Sequence, residues 1–146
     1  MLKSKRTLVI AGLMVFGLGF VVGNIAQLKS VAEAQSNRIF ELRTYTANPG
    51  RLDALNSRFR DHTIRIFEKH GMTSIGYWTP QDAPLSENTL IYVLAHDSRN
   101  AAEASWKAFG GDPEWQRVAE ESQRDGRIVE KVDRVWMDAT DYSQLK

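Results

Sequence analysis

RIFELRTY, residues 38–45, alternates along its length. Phe40, Leu42 and Thr44 fall on one side, and Glu41, Arg43 and Tyr45 on the other. Period-two alternation of this kind is the mark of a β-strand with unlike faces. The apolar side is expected to pack on helices. The polar side, on a strand expected to be central, must then meet solvent, a partner or an enclosed cavity.

The segments downstream supply the helices and the remaining strands. Asn48-Pro49-Gly50 is a turn signal. Arg51 to Lys69 reads as a helix, because Leu52, Leu55, Phe59, Ile66 and Phe67 recur at three- and four-residue spacing. His62 falls on the same stripe. His70-Gly71 closes the helix, with Gly71 just past its end. Met72 to Thr79 is a second strand, with Ile75 and Tyr77 on one face and Ser74, Gly76 and Trp78 on the other; Pro80 ends it. Thr89 to His96, TLIYVLAH, is nearly all apolar and reads as a central strand. The short polar loop between these two strands predicts an antiparallel hairpin.

Asp97-Ser98 can cap a helix over Arg99 to Phe109, with Ala102, Trp106 and Phe109 on one side and Gly110-Gly111 breaking it. Asp112-Pro113 starts another, with Asp112 as N-cap and Pro113 in the first position. Ile128 to Met137 is the fourth strand. The order βαββαβ is that of the split βαβ, or ferredoxin-like, fold, an α+β architecture. Both helical layers on one side leave the other sheet face open. Arg43, Tyr45 and Trp78 are expected there, with either Tyr92 and His96 or their neighbours. A second copy packed on that face would give a two-fold dimer with a shared interior.

The N-terminus is of a different kind. MLKSKR is a short basic region, and Thr7 to Ile25 follows as nineteen uncharged residues. Ala32-Glu33-Ala34 is a small-x-small pattern. Residues 1–34 read as a secretory signal peptide or, uncleaved, as a hydrophobic helix anchoring the chain in a bacterial inner membrane. Either way residues 35–146, a single domain, are expected on the non-cytoplasmic side, periplasmic or secreted. Membrane contact is then confined to the N-terminal segment.

Charge and composition exclude several classes. Of the 19 basic and 18 acidic residues, four basic and one acidic lie in residues 1–34, leaving 15 and 17 in the domain, net −2. Dispersed, slightly acidic charge offers no phosphate footprint, so nucleic acid is not an expected partner. There is no cysteine, which excludes disulfides, thiol catalysis and Cys-ligated metal.

ELRTYTANPGRL, HTIRIFEKHGM, IGYWTP and LIYVLAHDSRNAAEASWKAFGGDPEWQ, in this order and spacing, resemble the NIPSNAP family over residues 38–143. The resemblance implies a dimeric α/β barrel of ferredoxin-like domains, a homodimer with two sheets closed around a common interior. The wider superfamily includes cofactor-free monooxygenases, haem enzymes and small-molecule isomerases. Animal relatives are mitochondrial, with vesicle and quality-control roles; the export segment departs from that pattern.

Candidate chemistry follows from residue types. An enclosed Arg43 can bind a carboxylate or enolate bidentately, and Tyr45 can donate to a carbonyl. The plain alternative for Arg43 is an ion pair with Glu41 or across the dimer. His62 is a candidate base, or else a core histidine. His70 suits a helix C-terminus. His96 ends a strand just before a helix. Trp78 can wall a cavity, whereas Trp106 and Trp115 read as packing. The candidate catalytic residues are therefore Arg43, Tyr45 and His62, and the candidate ligand-binding residues are Arg43, Tyr45, Trp78 and His96. No metal motif is present: there is no HExxH, and His62 and His70 are eight positions apart, not at the i, i+4 spacing that brings two imidazoles onto one metal; the sequence leaves any cofactor undetermined. Two readings stand. One is a small-molecule binding protein or cofactor-independent acid–base or oxygenase enzyme with a barrel cavity. The other is a structural or interaction module whose barrel interior is packed shut.

Overall fold

The computed structural model describes residues 38–146. The expected N-terminal leader lies outside the described residues. Strand β1 spans Ile39–Ala47. A helical run follows in three parts: α1, Leu52–Arg58; a π-helical segment, Phe59–Thr63; and α2, Ile64–Lys69. Then come β2, Thr73–Trp78, a short 3₁₀ turn at Leu85–Glu87, and β3, Thr89–His96. Helices α3, Arg99–Gly111, and α4, Pro113–Glu121, precede β4, Val129–Asp138. The sheet order is β2-β3-β1-β4, antiparallel throughout, which is the ferredoxin-like arrangement.

The helix ends obey the sequence signals at Gly71, Ser98 and Asp112. Gly71 takes φ +73° beyond α2. Met72 N–H then reaches the Phe67 carbonyl and Gly71 N–H the Glu68 carbonyl, each at 3.0 Å, a Schellman closure. The Ser98 side chain caps α3 by accepting from Ala101 N–H. Helix α3 runs through Gly110 and Gly111 rather than breaking at them. It ends where Asp112 turns extended and caps α4, accepting from Glu114 N–H.

The face assignment of β1 is reversed from expectation. Antiparallel neighbours share a face. Arg43 sits opposite Tyr92, Glu41 opposite Leu94, and Tyr45 opposite Leu90. Tyr92, Leu94 and Leu90 belong to the core beneath the helices, with Leu55, Phe59, Ile66, Phe67 and Phe109. Glu41, Arg43 and Tyr45 therefore face the helices. Phe40, Leu42 and Thr44 point to the open side, where Leu42 lies between Val93 and Val135. The physical reason is that the helix layer brings its own polar and aromatic partners for the charged residues. Since β3 is apolar on both faces, apolar alternation in β1 could not tell which side the helices cover.

A bulge between Ser74 and Gly76 also breaks the alternation of β2. It puts Ser74 on the same side as Tyr77, and their hydroxyls lie 2.7 Å apart. Trp78 remains on the open face, opposite Ile91 and folded across Gly76.

Candidate functional site

Two polar clusters lie on the helix side of the sheet, and they differ in kind. The first is centred on Glu41, which is 0% exposed. Its carboxylate accepts from Arg43 Nη1 at 2.8 Å, from Trp106 Nε1 at 2.7 Å and from His96 Nε2 at 3.0 Å. Burial pushes the Glu41 pKa up; the hydrogen bonds from His96, Trp106 and Arg43 outweigh it and hold the group below its ordinary value of 4.5. The ionised carboxylate is an acceptor only, so the proton between it and His96 sits on Nε2. The Arg43 guanidinium lies 4.2 Å from the Trp106 ring centroid. The carboxylate is fully paired from within the chain, while Arg43 Nε has no partner among the described residues. The cluster is a keystone joining β1, β3 and α3, and Trp106, read from sequence as packing, is one of its donors.

The second cluster is open. Arg58, the last residue of α1, is 7% exposed. Its Nη1 lies 3.5 Å from Ser122 Oγ, and its Nε has no partner among the described residues. Its guanidinium lies 5.4 Å from the Trp115 ring centroid. Among the described residues no carboxylate comes within 4.0 Å of it. Burial pushes its pKa down, while the nearby Tyr45 and Tyr92 phenols oppose the shift. Among the described residues the Tyr92 hydroxyl also has no partner, and burial raises its pKa well above 10.0. Arg58 borders a cleft of ≈ 340 Å³ between α1, the π segment and α4, with Ser57, Asp61, His62, Glu121 and Ser122 around it.

The π segment shapes this cleft. Its wider turn carries Thr63 inward, where Oγ1 donates to the Arg58 carbonyl at 3.1 Å. His62, expected on the apolar stripe, is exposed and lines the cleft instead.

The sequence-predicted residues therefore do not form one site. Arg43, Tyr45 and His96 are gathered on the helix side, and Tyr45 Oη accepts weakly from Arg43 Nη2 at 3.5 Å. Trp78 is on the opposite sheet face, and His62 is in the cleft. His70 pairs with Asp112, Nε2 to Oδ2 at 2.6 Å, and Lys69 Nζ approaches the same oxygen at 2.8 Å. That explains His70 as a tie between α2 and the start of α4. Among the described residues no cluster of His, Cys, Asp and Glu is arranged to hold a metal. Nor is any described helix long and apolar enough to cross a membrane. Sequence reasoning missed Arg58. The signal available was a charged residue three positions after Leu55, flanking the buried stripe.

The NIPSNAP family profile matches residues 40–144. The chain belongs to the NIPSNAP family. Among solved structures, a NIPSNAP family protein of unknown function from Agrobacterium tumefaciens superposes with a TM-score of 0.66 at 22% identity, covering 76% of this chain and 96% of that one. An uncharacterized NIPSNAP-like domain protein from Burkholderia xenovorans gives a TM-score of 0.65 at 18% identity, covering 76% and 93%. A second Agrobacterium tumefaciens NIPSNAP family protein gives 0.63 at 24% identity, covering 75% and 99%. At these identities the likeness shows a common fold. No curated protein matches the chain.

Proposed function

We propose that this NIPSNAP protein works as an exported homodimer whose barrel interior is a packed core, an assembly module rather than a barrel-cavity enzyme. The observation that carries the reading is the composition of the uncovered sheet face. Leu42, Ile91, Val93, Val135 and Met137 are aligned there across β1, β3 and β4, beside Phe40, which is only 7% exposed. Trp78 and Val135 are each 52% exposed. An aligned apolar face of this kind favours association, and a two-fold axis through it buries like against like. The barrel-cavity enzyme reading needed Arg43 and Tyr45 inside the barrel. Both face the helices, and the face that would close the barrel carries apolar side chains, Phe40 and Trp78 among them, with Thr44 and, toward the edge, Asp133. Export is supported by the basic start and the uncharged run in residues 7–25.

Native mass spectrometry of the protein purified from its host tests the reading. A dimer with no additional mass is expected. A monomer at micromolar concentration would sink the assembly reading. A dimer that releases one discrete apolar compound would favour the barrel-cavity alternative.

A further inference from the structure

Among the described residues Arg58 is a buried cation without a counter-ion. Arginine is rarely buried unless paired. It stays charged at any physiological pH. Of its three nitrogens only Nη1 has a partner among the described residues, a long contact to Ser122 Oγ at 3.5 Å. The cleft that reaches it has a volume of ≈ 340 Å³, within the range of about 300–1,000 Å³ usual for small-molecule sites. The π segment begins directly after Arg58, and such turns are frequent at functional sites.

The cleft is not uniformly positive. Asp61 and Glu121 also line it, and both are exposed. Glu121 has partial partners in Arg117 at 3.5 Å and Arg124 at 4.0 Å. A simple anion would meet repulsion from these carboxylates on its way to Arg58. A molecule with an anionic group at one end and a cationic group at the other meets attraction at both.

We propose that the cleft between α1, the π segment and α4 binds a small zwitterion, its carboxylate on Arg58 and its ammonium between Asp61 and Glu121. Ser57 and Ser122 offer hydroxyls along the way, and His62 a ring at the mouth. The carboxylate completes the Arg58 fork in the bidentate geometry that guanidinium favours. The site lies on the helix side of each protomer and does not depend on dimerisation.

Titration calorimetry on the full-length chain tests this with three probes: 4-aminobutanoate, butanoate and butylammonium. The zwitterion is expected to bind tightest, butanoate more weakly and butylammonium not at all. Arg58→Gln should weaken the zwitterion by about tenfold or more, the loss usual for a charge-assisted contact. Asp61→Asn should narrow the gap between 4-aminobutanoate and butanoate. Circular dichroism checks folding. If Arg58→Gln does not fold, the Asp61→Asn selectivity decides: a narrowed gap supports the site, and an unchanged one overturns it. Absence of binding by both carboxylates, or binding that Arg58→Gln leaves intact, would also overturn it.

Discussion

Glu41 and Arg58 are both charged and both buried, and the contrast between them separates structure from candidate function. Glu41 has three donors around one carboxylate. Removing it strands Arg43 and leaves Trp106 Nε1 and His96 without their acceptor. Breaking a buried charge pair from one side costs roughly 3–5 kcal/mol. Glu41→Ala should lose stability of that order in urea unfolding at neutral pH; a loss below about 1 kcal/mol, the scale of one ordinary hydrogen bond, would remove its keystone role. The pH dependence has a definite sign. The folded-state pKa of Glu41 lies below its ordinary 4.5, so its contribution is complete above that value and lost as pH falls through the folded pKa. Wild type should therefore lose stability on acidification below pH 4.5 more steeply than Glu41→Gln, in which no proton binds at this position. Parallel acid titrations of the two proteins, followed by circular dichroism, would contradict this. The Arg43–Glu41 ion pair was legible as the plain reading of ELR, because the two are strand neighbours on one face. The Trp106 and His96 contacts were not, since they join residues 65 and 55 positions away from Glu41.

At the scale of elements, the helical run from Leu52 to Lys69 shows how periodicity can be right about extent and wrong about facing. Its apolar spacing gave the span and its Gly71 gave the end. Nothing in the local sequence marks the π segment, which follows from how the run packs on the sheet. Its effect is to exchange His62 and Thr63: the histidine moves to the cleft and the threonine into the core. Thr63 is 1% exposed, and its hydroxyl takes up the Arg58 carbonyl. Thr63→Val keeps the shape but removes that hydroxyl donor, which should cost about 0.5–1.5 kcal/mol, the net worth of one hydrogen bond. Chemical denaturation measures it; an unchanged midpoint would mean that water or a rearranged backbone serves the carbonyl equally well. The face of β1 was illegible for a related reason. A strand with one apolar and one charged side is ambiguous when both sides of the sheet are covered, one by helices and the other, in our reading, by a second sheet. The helices took the charged side because α3 presents Trp106 to Glu41 and to the Arg43 guanidinium. The capping signals carried no such ambiguity. Ser98 and Asp112 act on backbone two or three residues away, so the sequence contains the whole interaction. Ser98→Ala should cost about 1 kcal/mol, the usual worth of an N-cap, measurable in the same unfolding assay.

For the whole molecule, the question is what covers the face bearing Leu42. Leu42 lies at the middle of the sheet between Val93 and Val135, so a two-fold dimer through this face brings it close to its own symmetry copy. Leu42→Asp would then place two carboxylates in a water-poor interior, a cost large enough to separate the protomers. Val132 provides the control. It is 40% exposed on the same edge strand, but it pairs with Tyr45 and points to the helix side. Light scattering on the full-length protein should show wild type and Val132→Asp as dimers and Leu42→Asp as a monomer. Because folding linked to association depends on protomer concentration, wild-type Tm should rise with protein concentration. The Tm of Leu42→Asp should be lower and independent of concentration. If Leu42→Asp remains dimeric while Val132→Asp dissociates, the interface lies on the helix side and the barrel is the wrong assembly. If both remain dimeric, association runs through an edge or a terminus, and the apolar face needs another cover.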